Sequence, residues 1–188
     1  LSLIDREIEK SSPERPGLIM AKVNSLADFD VIDALYRAGR AGVRVMLNVR
    51  GVCMLVPGER GMSENVSVVS VIDRFLEHSR VFWFQNGGAE EVYLSSADWM
   101  SRNLDRRVEL MFPVLQEGIR KTIGGILSTY FADNTNSHRL KSDGTWVRSR
   151  PARDERPARA QEELYLAEKR RVELHEKEPR REFIVRRN

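Results

Sequence analysis

Cysteine occurs once in this chain of 188 residues, at Cys53, so no internal disulfide forms. A lone thiol inside an apolar run reads as a packed group in a reducing compartment. Histidine occurs only three times, and the three histidines with one cysteine are too scattered for a zinc site. No apolar run approaches the roughly 20 residues that span a bilayer. The start, Leu1 to Glu7, has no basic region followed by a hydrophobic stretch and a cleavage site. The expected location is therefore cytoplasmic. There is no Gly-rich phosphate loop ending in Lys-Ser/Thr, which argues against ordinary P-loop nucleotide binding. No Gly-x-Ser-x-Gly nucleophile elbow and no internal repeat occur either. The chain does not open on Met, and it reads as a piece of something larger.

What is present describes a folded chain, with 41% hydrophobic and 31% charged residues. The length allows one domain with a sizeable core, or one domain and a tail. The net charge of +3 is mild because acids and bases are interspersed, and it does not demand nucleic acid.

Residues 1 to 10 alternate in a helix-like way before Pro13, Pro16 and Gly17 break the pattern. Leu18 to Val23 reads as a buried strand whose end carries Lys22, Asn24 and Ser25, the usual place for ligands in an open α/β sheet. Asp28 or Asp30 is expected to cap a helix carrying Val31, Ile32, Leu35 and Tyr36, with Gly39 and Gly42 at its end. Val43 to Val49 is a second strand, parallel to the first given the short helical crossover. It exits on Arg50-Gly51, where the glycine opens the backbone to a ligand. Cys53 to Met62 is a loop.

Residues 66 to 76 start strand-like and end helix-like, so a helix finishing on Glu77-His78-Ser79-Arg80 is expected before the strand Val81 to Phe84. Such an end brings an imidazole, a hydroxyl and a guanidinium to one sheet edge. Asn86-Gly87-Gly88 turns the chain into a returning strand, Val92 to Leu94. Leu104 to Phe112 alternates charged and apolar residues, which predicts a strand with Asp105, Arg107 and Glu109 on one face. Pro113 to Phe131 is the longest helical candidate, with Leu115, Ile119, Ile123, Ile126 and Leu127 on one face. A small hairpin turns at Asp143-Gly144. From Pro151 the chain mixes Arg, Glu and Lys, and reads as a solvated helix or partly disordered tail with a Glu173–Lys177 surface pair.

The polar ends together hold Lys22, Asn24, Arg50, His78, Arg80, Ser95, Ser96, Arg102 and Arg107. Imidazole serves as nucleophile, base or cation near neutral pH, and guanidinium grips phosphoryl oxygens through paired donors. Cations around an imidazole fit phosphoryl transfer, where positioning and charge neutralisation supply most of the catalysis.

Five words, Ala21-Lys22-Val23-Asn24-Ser25-Leu26, Asn48-Val49-Arg50-Gly51, Arg74 to Arg80, Tyr93 to Met100, and Arg102-Asn103 with Asp105-Arg106-Arg107, occur in one order. Over about residues 16 to 113 they resemble the C-terminal part of bacterial polyphosphate kinase, and the resemblance fades beyond about Pro151. It implies an α/β fold with α+β character, a phospholipase D-like mixed β-sheet flanked by helices. Residues 1–150 would form that domain and 151–188 a charged tail.

The same resemblance implies reversible transfer of the terminal phosphate of ATP to polyphosphate, with Mg2+ and a phosphohistidine. His78 would be the second histidine of a site shared with the preceding domains of the enzyme, which carry the phosphorylated one. Arg50 and Arg107 would bind ATP phosphates with His78, and Lys22 and Asn24 would join them. ATP or ADP and polyphosphate are the expected partners, the enzyme is expected to be a homo-oligomer, and the isolated chain is expected to be inactive. Whether the tail meets a membrane surface stays open. So do two other readings: a phospholipase D-like phosphodiesterase working as a dimer through two copies of His78, and a noncatalytic polyanion-binding module.

Overall fold

Apolar faces of three helices clamp one sheet in this computed structural model, which describes residues 1–176. Eight strands run in the order β6-β5-β4-β1-β2-β3-β7-β8. They are β1 (Leu18–Val23), β2 (Arg44–Val49), β3 (Val66–Val71), β4 (Arg80–Phe84), β5 (Glu91–Ser95), β6 (Met111–Pro113), β7 (Ser137–Leu140) and β8 (Trp146–Arg148). The central β1, β2 and β3 are parallel, and β4 and β7 flank them antiparallel. This is the expected mixed sheet, with the predicted parallel pair and both predicted hairpins.

The central strands are nearly continuous apolar runs because both of their faces are covered. Side chains alternate between the faces. Ile19, Ala21 and Val23 pack with Val45, Leu47 and Val49 under α1 (Ser2–Lys10) and α2 (Phe29–Arg40). Met20, Trp83 and Val92 pack on the other face against Leu127 of α4 (Glu117–Ala132). Asp28 caps α2, its side chain accepting the Val31 N–H at 3.1 Å. By the same alternation Lys22 points to the α4 side, where its Nζ lies 5.3 Å from the Tyr130 ring centroid.

Two expected elements are different. No helix ends on Glu77 to Arg80, because residues 72–79 are irregular and β4 already begins at Arg80. The spacing of Ile72, Phe75 and Leu76 looks helical, but they are 62%, 55% and 80% exposed, so the pattern has no core to face. Residues 104–112 are not one strand either. A short helix, α3 (Ser101–Arg106), takes Asp105, Arg107 follows it in extended conformation, and only Met111–Pro113 joins the sheet. Glu109 is drawn off the expected face by Asn103 Nδ2 at 2.8 Å and by Ser96 Oγ, both of which donate to it.

The α4 helix starts at Glu117, so Leu115 lies outside it, and the buried residues are Leu127 and Tyr130. Gly51 packs closely on the loop after β1: its N–H donates to Asn24 C=O at 2.8 Å, and a side chain there would meet that oxygen at 3.0 Å. The charged C-terminal stretch forms α5 (Ala160–Glu176), whose first turn is buried at Ala160 and Gln161. The expected Glu173–Lys177 pair lies partly outside the described residues; within them Glu173 meets Lys169 at 4.0 Å. No described helix is long and apolar enough to cross a membrane.

Candidate functional site

The ends of β1, β2 and β5 and the start of β4 lie along one edge of the sheet, since Lys22 pairs with Asn48 and Val81, and Arg80 with Ser95. Isolated bridges from Leu26 to Cys53 and to Trp99 draw the three following loops together. Buried polar residues fill this edge, and its buried charges are paired locally.

Asp98 is the hub. Its Oδ1 accepts the N–H groups of Asn24 at 2.7 Å and Ser25 at 3.2 Å, and Arg80 Nε at 3.3 Å. Its Oδ2 accepts Arg80 Nη2 at 2.9 Å and Asn24 Nδ2 at 3.4 Å. Burial works to raise the Asp98 pKa, but Arg80 and the two backbone donors outweigh it and hold the carboxyl below its usual range. Asn24 Oδ1 is a buried acceptor with no partner among the described residues.

Lys22 is the second buried charge, its side chain 5% exposed. Its Nζ donates to Ser79 Oγ at 3.0 Å and Ser79 C=O at 3.3 Å, and lies 3.5 Å from Glu77 Oε2. Burial lowers its pKa, and the charges of Arg50 and Arg80 push the same way against Glu77. Burial also raises the Tyr130 pKa, and Glu77 adds to that shift.

The remaining cations are not used up in this scaffold. Arg50 is half-buried and uses its main chain, donating to Val23 C=O and accepting Ser70 Oγ at 3.2 Å. Arg107 is exposed beyond α3. Among the described residues neither guanidinium makes an ion pair or hydrogen bond. The charges of Arg107 and Arg80 both help to lower the pKa of Glu109, although Ser96 and Asn103 are its main causes. His78 is exposed between Glu77 and Ser79, and Arg80 Nη1 donates to its C=O at 3.0 Å.

The fold thus gathers Lys22 and Asn24 with residues 77–80 and places Arg50 within electrostatic reach of Lys22, but it ties Lys22 inward. Asp98, Glu77, Tyr130 and Gln161 carry roles that the sequence reading did not assign. Asp98 stood inside a quoted word; Gln161 had no signal at all.

The arrangement of strands and helices defines a class first. It is similar in fold to Nuc, a phospholipase D family member from Salmonella typhimurium, matched at a TM-score of 0.54 over 75% of this chain and 90% of that one, with 13% identity. Sequence carries the second step. Residues 1–161 match the model for polyphosphate kinase C-terminal domain 2. A polyphosphate kinase from Rhodopirellula baltica is 51% identical over 177 residues, 93% of this chain and 21% of its own length. The crystal structure of polyphosphate kinase from Porphyromonas gingivalis superposes with a TM-score of 0.87 and 43% identity, over 92% of this chain and 26% of that one. The chain belongs to the polyphosphate kinase family, and spans about a fifth to a quarter of the length of these relatives.

Proposed function

We propose that this chain is the phosphate-gripping half of a polyphosphate kinase site, which reversibly moves the terminal phosphate of ATP to polyphosphate together with preceding domains. One observation carries the reading: Arg50 and Arg107 have guanidiniums without an ion pair or hydrogen bond among the described residues, beside a scaffold whose buried charges, Lys22, Arg80 and Asp98, are already paired. Guanidiniums without carboxylate partners suit a ligand that brings its own negative charge.

Arg50 and Arg107 neutralise the phosphate being transferred, which supplies electrostatic stabilisation as charge moves between oxygens. His78, exposed and flanked by two anchored residues, hydrogen-bonds the phosphate or exchanges a proton opposite the phosphorylated histidine, which lies in the preceding domains. Lys22 keeps residues 77–79 in place and adds positive potential from below. Asn24 offers its unpartnered Oδ1 to a donor at the strand end. Among the described residues no group of three His, Cys, Asp or Glu side chains converges, and Mg2+ that arrives on ATP phosphates needs no such group from this chain. A cytoplasmic location and a homo-oligomeric enzyme complete the reading.

The test is the enzyme in which this chain follows its preceding domains. His78→Ala should lose ATP-dependent polyphosphate synthesis, and Arg50→Ala should weaken ATP use. Wild-type synthesis by His78→Ala would defeat the assignment. The 188-residue chain alone should be nearly inactive, and ATP-independent phosphodiester cleavage by it would point to the phosphodiesterase class instead.

A further inference from the structure

The segment that carries His78, residues 72–79, has no regular structure, so its backbone groups need partners from elsewhere or from water. The first turn of α5 provides them. Phe75 N–H donates to Gln161 Oε1 at 2.8 Å, and Gln161 Nε2 donates to Phe75 C=O at 2.8 Å. The side-chain amide pairs with this one residue as a neighbouring strand would. The same Nε2 also donates to Glu77 Oε1 at 3.1 Å, while Lys22 lies by the other oxygen of that carboxylate.

A second tie lies beside it. Arg159 Nε and Nη2 donate to Asp73 at 2.8 and 2.6 Å, and this guanidinium is the main reason that the Asp73 pKa is depressed. The clasp is itself anchored. Buried Asp133 accepts the Ala160 N–H at 2.8 Å and, through its other oxygen, the N–H groups of Thr135, Asn136 and Ser137. Asn134 Oδ1 accepts the Ala158 N–H at 2.7 Å.

Ala160, beside them, packs with Val71 and Tyr130, but the segment's own apolar side chains gain little such cover. Ile72, Phe75 and Leu76 remain exposed, so ordering the segment costs conformational entropy that little apolar burial offsets. What the ties do define is the path of the backbone through Glu77, His78 and Ser79, held by Gln161 from one side and Lys22 from the other.

We propose that Gln161 is a positioning residue for phosphotransfer: by pairing with Phe75 and Glu77 it sets the direction in which His78 meets the phosphate. The inference rests on the role given to His78 under the proposed function. Gln161 touches no substrate.

The experiment uses the enzyme with its preceding domains, carrying Gln161→Met, which keeps bulk in a buried position and removes the amide. The kcat for synthesis should fall about tenfold to a hundredfold, as misplacement of a reacting group by about an ångström does. The KM for ATP should stay within about threefold, since Arg50 and Arg107 are untouched. Hydrogen exchange should quicken at the Phe75 amide and its neighbours while β1 to β3 keep wild-type protection. A kcat within twofold of wild type overturns the proposal. So does a fall in kcat accompanied by faster exchange throughout the sheet, which marks a merely structural role. If Gln161→Met does not fold, Gln161→Glu, which keeps the acceptor for Phe75 N–H and loses the donor to Phe75 C=O and Glu77, is judged by the same results. His78→Ala measured alongside separates the two readings. Wild-type synthesis there removes the site assignment, whereas loss there with normal kcat in Gln161→Met removes only the role of Gln161.

Discussion

Replacing Asp98 by alanine removes the one acceptor shared by the loops after β1 and β5 and by Arg80 at the start of β4. The Arg80 and Asp98 side chains are 12% and 9% exposed, so the guanidinium left behind is largely cut off from water. Breaking a buried pair from one side costs about 3–5 kcal/mol. Residual exposure of Arg80 favours the lower end of that range. The N–H groups of Asn24 and Ser25 lose their acceptor as well, at about 1–3 kcal/mol each unless water enters the space vacated. The low ends together come to about 5 kcal/mol, which at a urea slope of about 2 kcal/mol/M lowers the unfolding midpoint by about 2.5 M. Circular dichroism of the 188-residue chain in urea reads it directly. Asp98→Asn, which retains an acceptor for the backbone, should lose clearly less. In an Arg80→Met background the Asp98→Ala cost should shrink, because the stranded charge is gone. A midpoint shift under about 0.5 M for Asp98→Ala would refute the view of Asp98 as the hub of this edge.

The acid limb should report the same residue. The folded pKa of Asp98 lies below its ordinary value of 3.8, so its contribution is complete above that value and is lost as pH falls through the lower folded one. Urea midpoints below about pH 4 should therefore depend less steeply on pH in Asp98→Asn than in wild type. Lys22 has the same sign at the other end of the scale. Its folded pKa is depressed below 10.5, so the unfolded chain binds more protons and stability rises with pH through that window. In Lys22→Met this rise should vanish. It is best read below about pH 9, because Cys53 above that and Tyr130 above about pH 10, whose folded pKa values are raised by burial, lower stability. Tyr130→Phe should reduce that alkaline loss, visible as a flatter midpoint profile above about pH 10, with Tyr93 and Cys53, also raised, accounting for the rest.

Much of the fold could be read along the chain because its signals are local. The apolar runs Leu18 to Val23 and Val43 to Val49 are buried on both faces, so strand propensity, burial and the short crossover all point to one parallel pair. Asp28 lies three residues before Val31, within reach of its N–H, and a cap needs no more than that. The segment around His78 was misread for the opposite reason. Its spacing is helical, but its backbone partner is Gln161, 86 residues away, and local pattern carries no record of such a bond. The alternation through Asp105, Arg107 and Glu109 failed likewise, since Asn103 and Ser96, placed by α3 and by the loop after β5, take Glu109 for themselves.

For the site, residue type and order sufficed to point to the family: an imidazole and several guanidiniums near strand ends, in words that resemble polyphosphate kinase. Which charges remain available to a ligand was decided only by tertiary structure. Lys22 and Arg80 look as free in the sequence as Arg50 and Arg107, yet burial makes an unpaired charge too costly, and Glu77, Ser79 and Asp98 satisfy them. Arg50 and Arg107 lie where solvent still reaches, so no such pairing is forced on them. Charge is a property of a residue, but its availability depends on the neighbours that folding gives it.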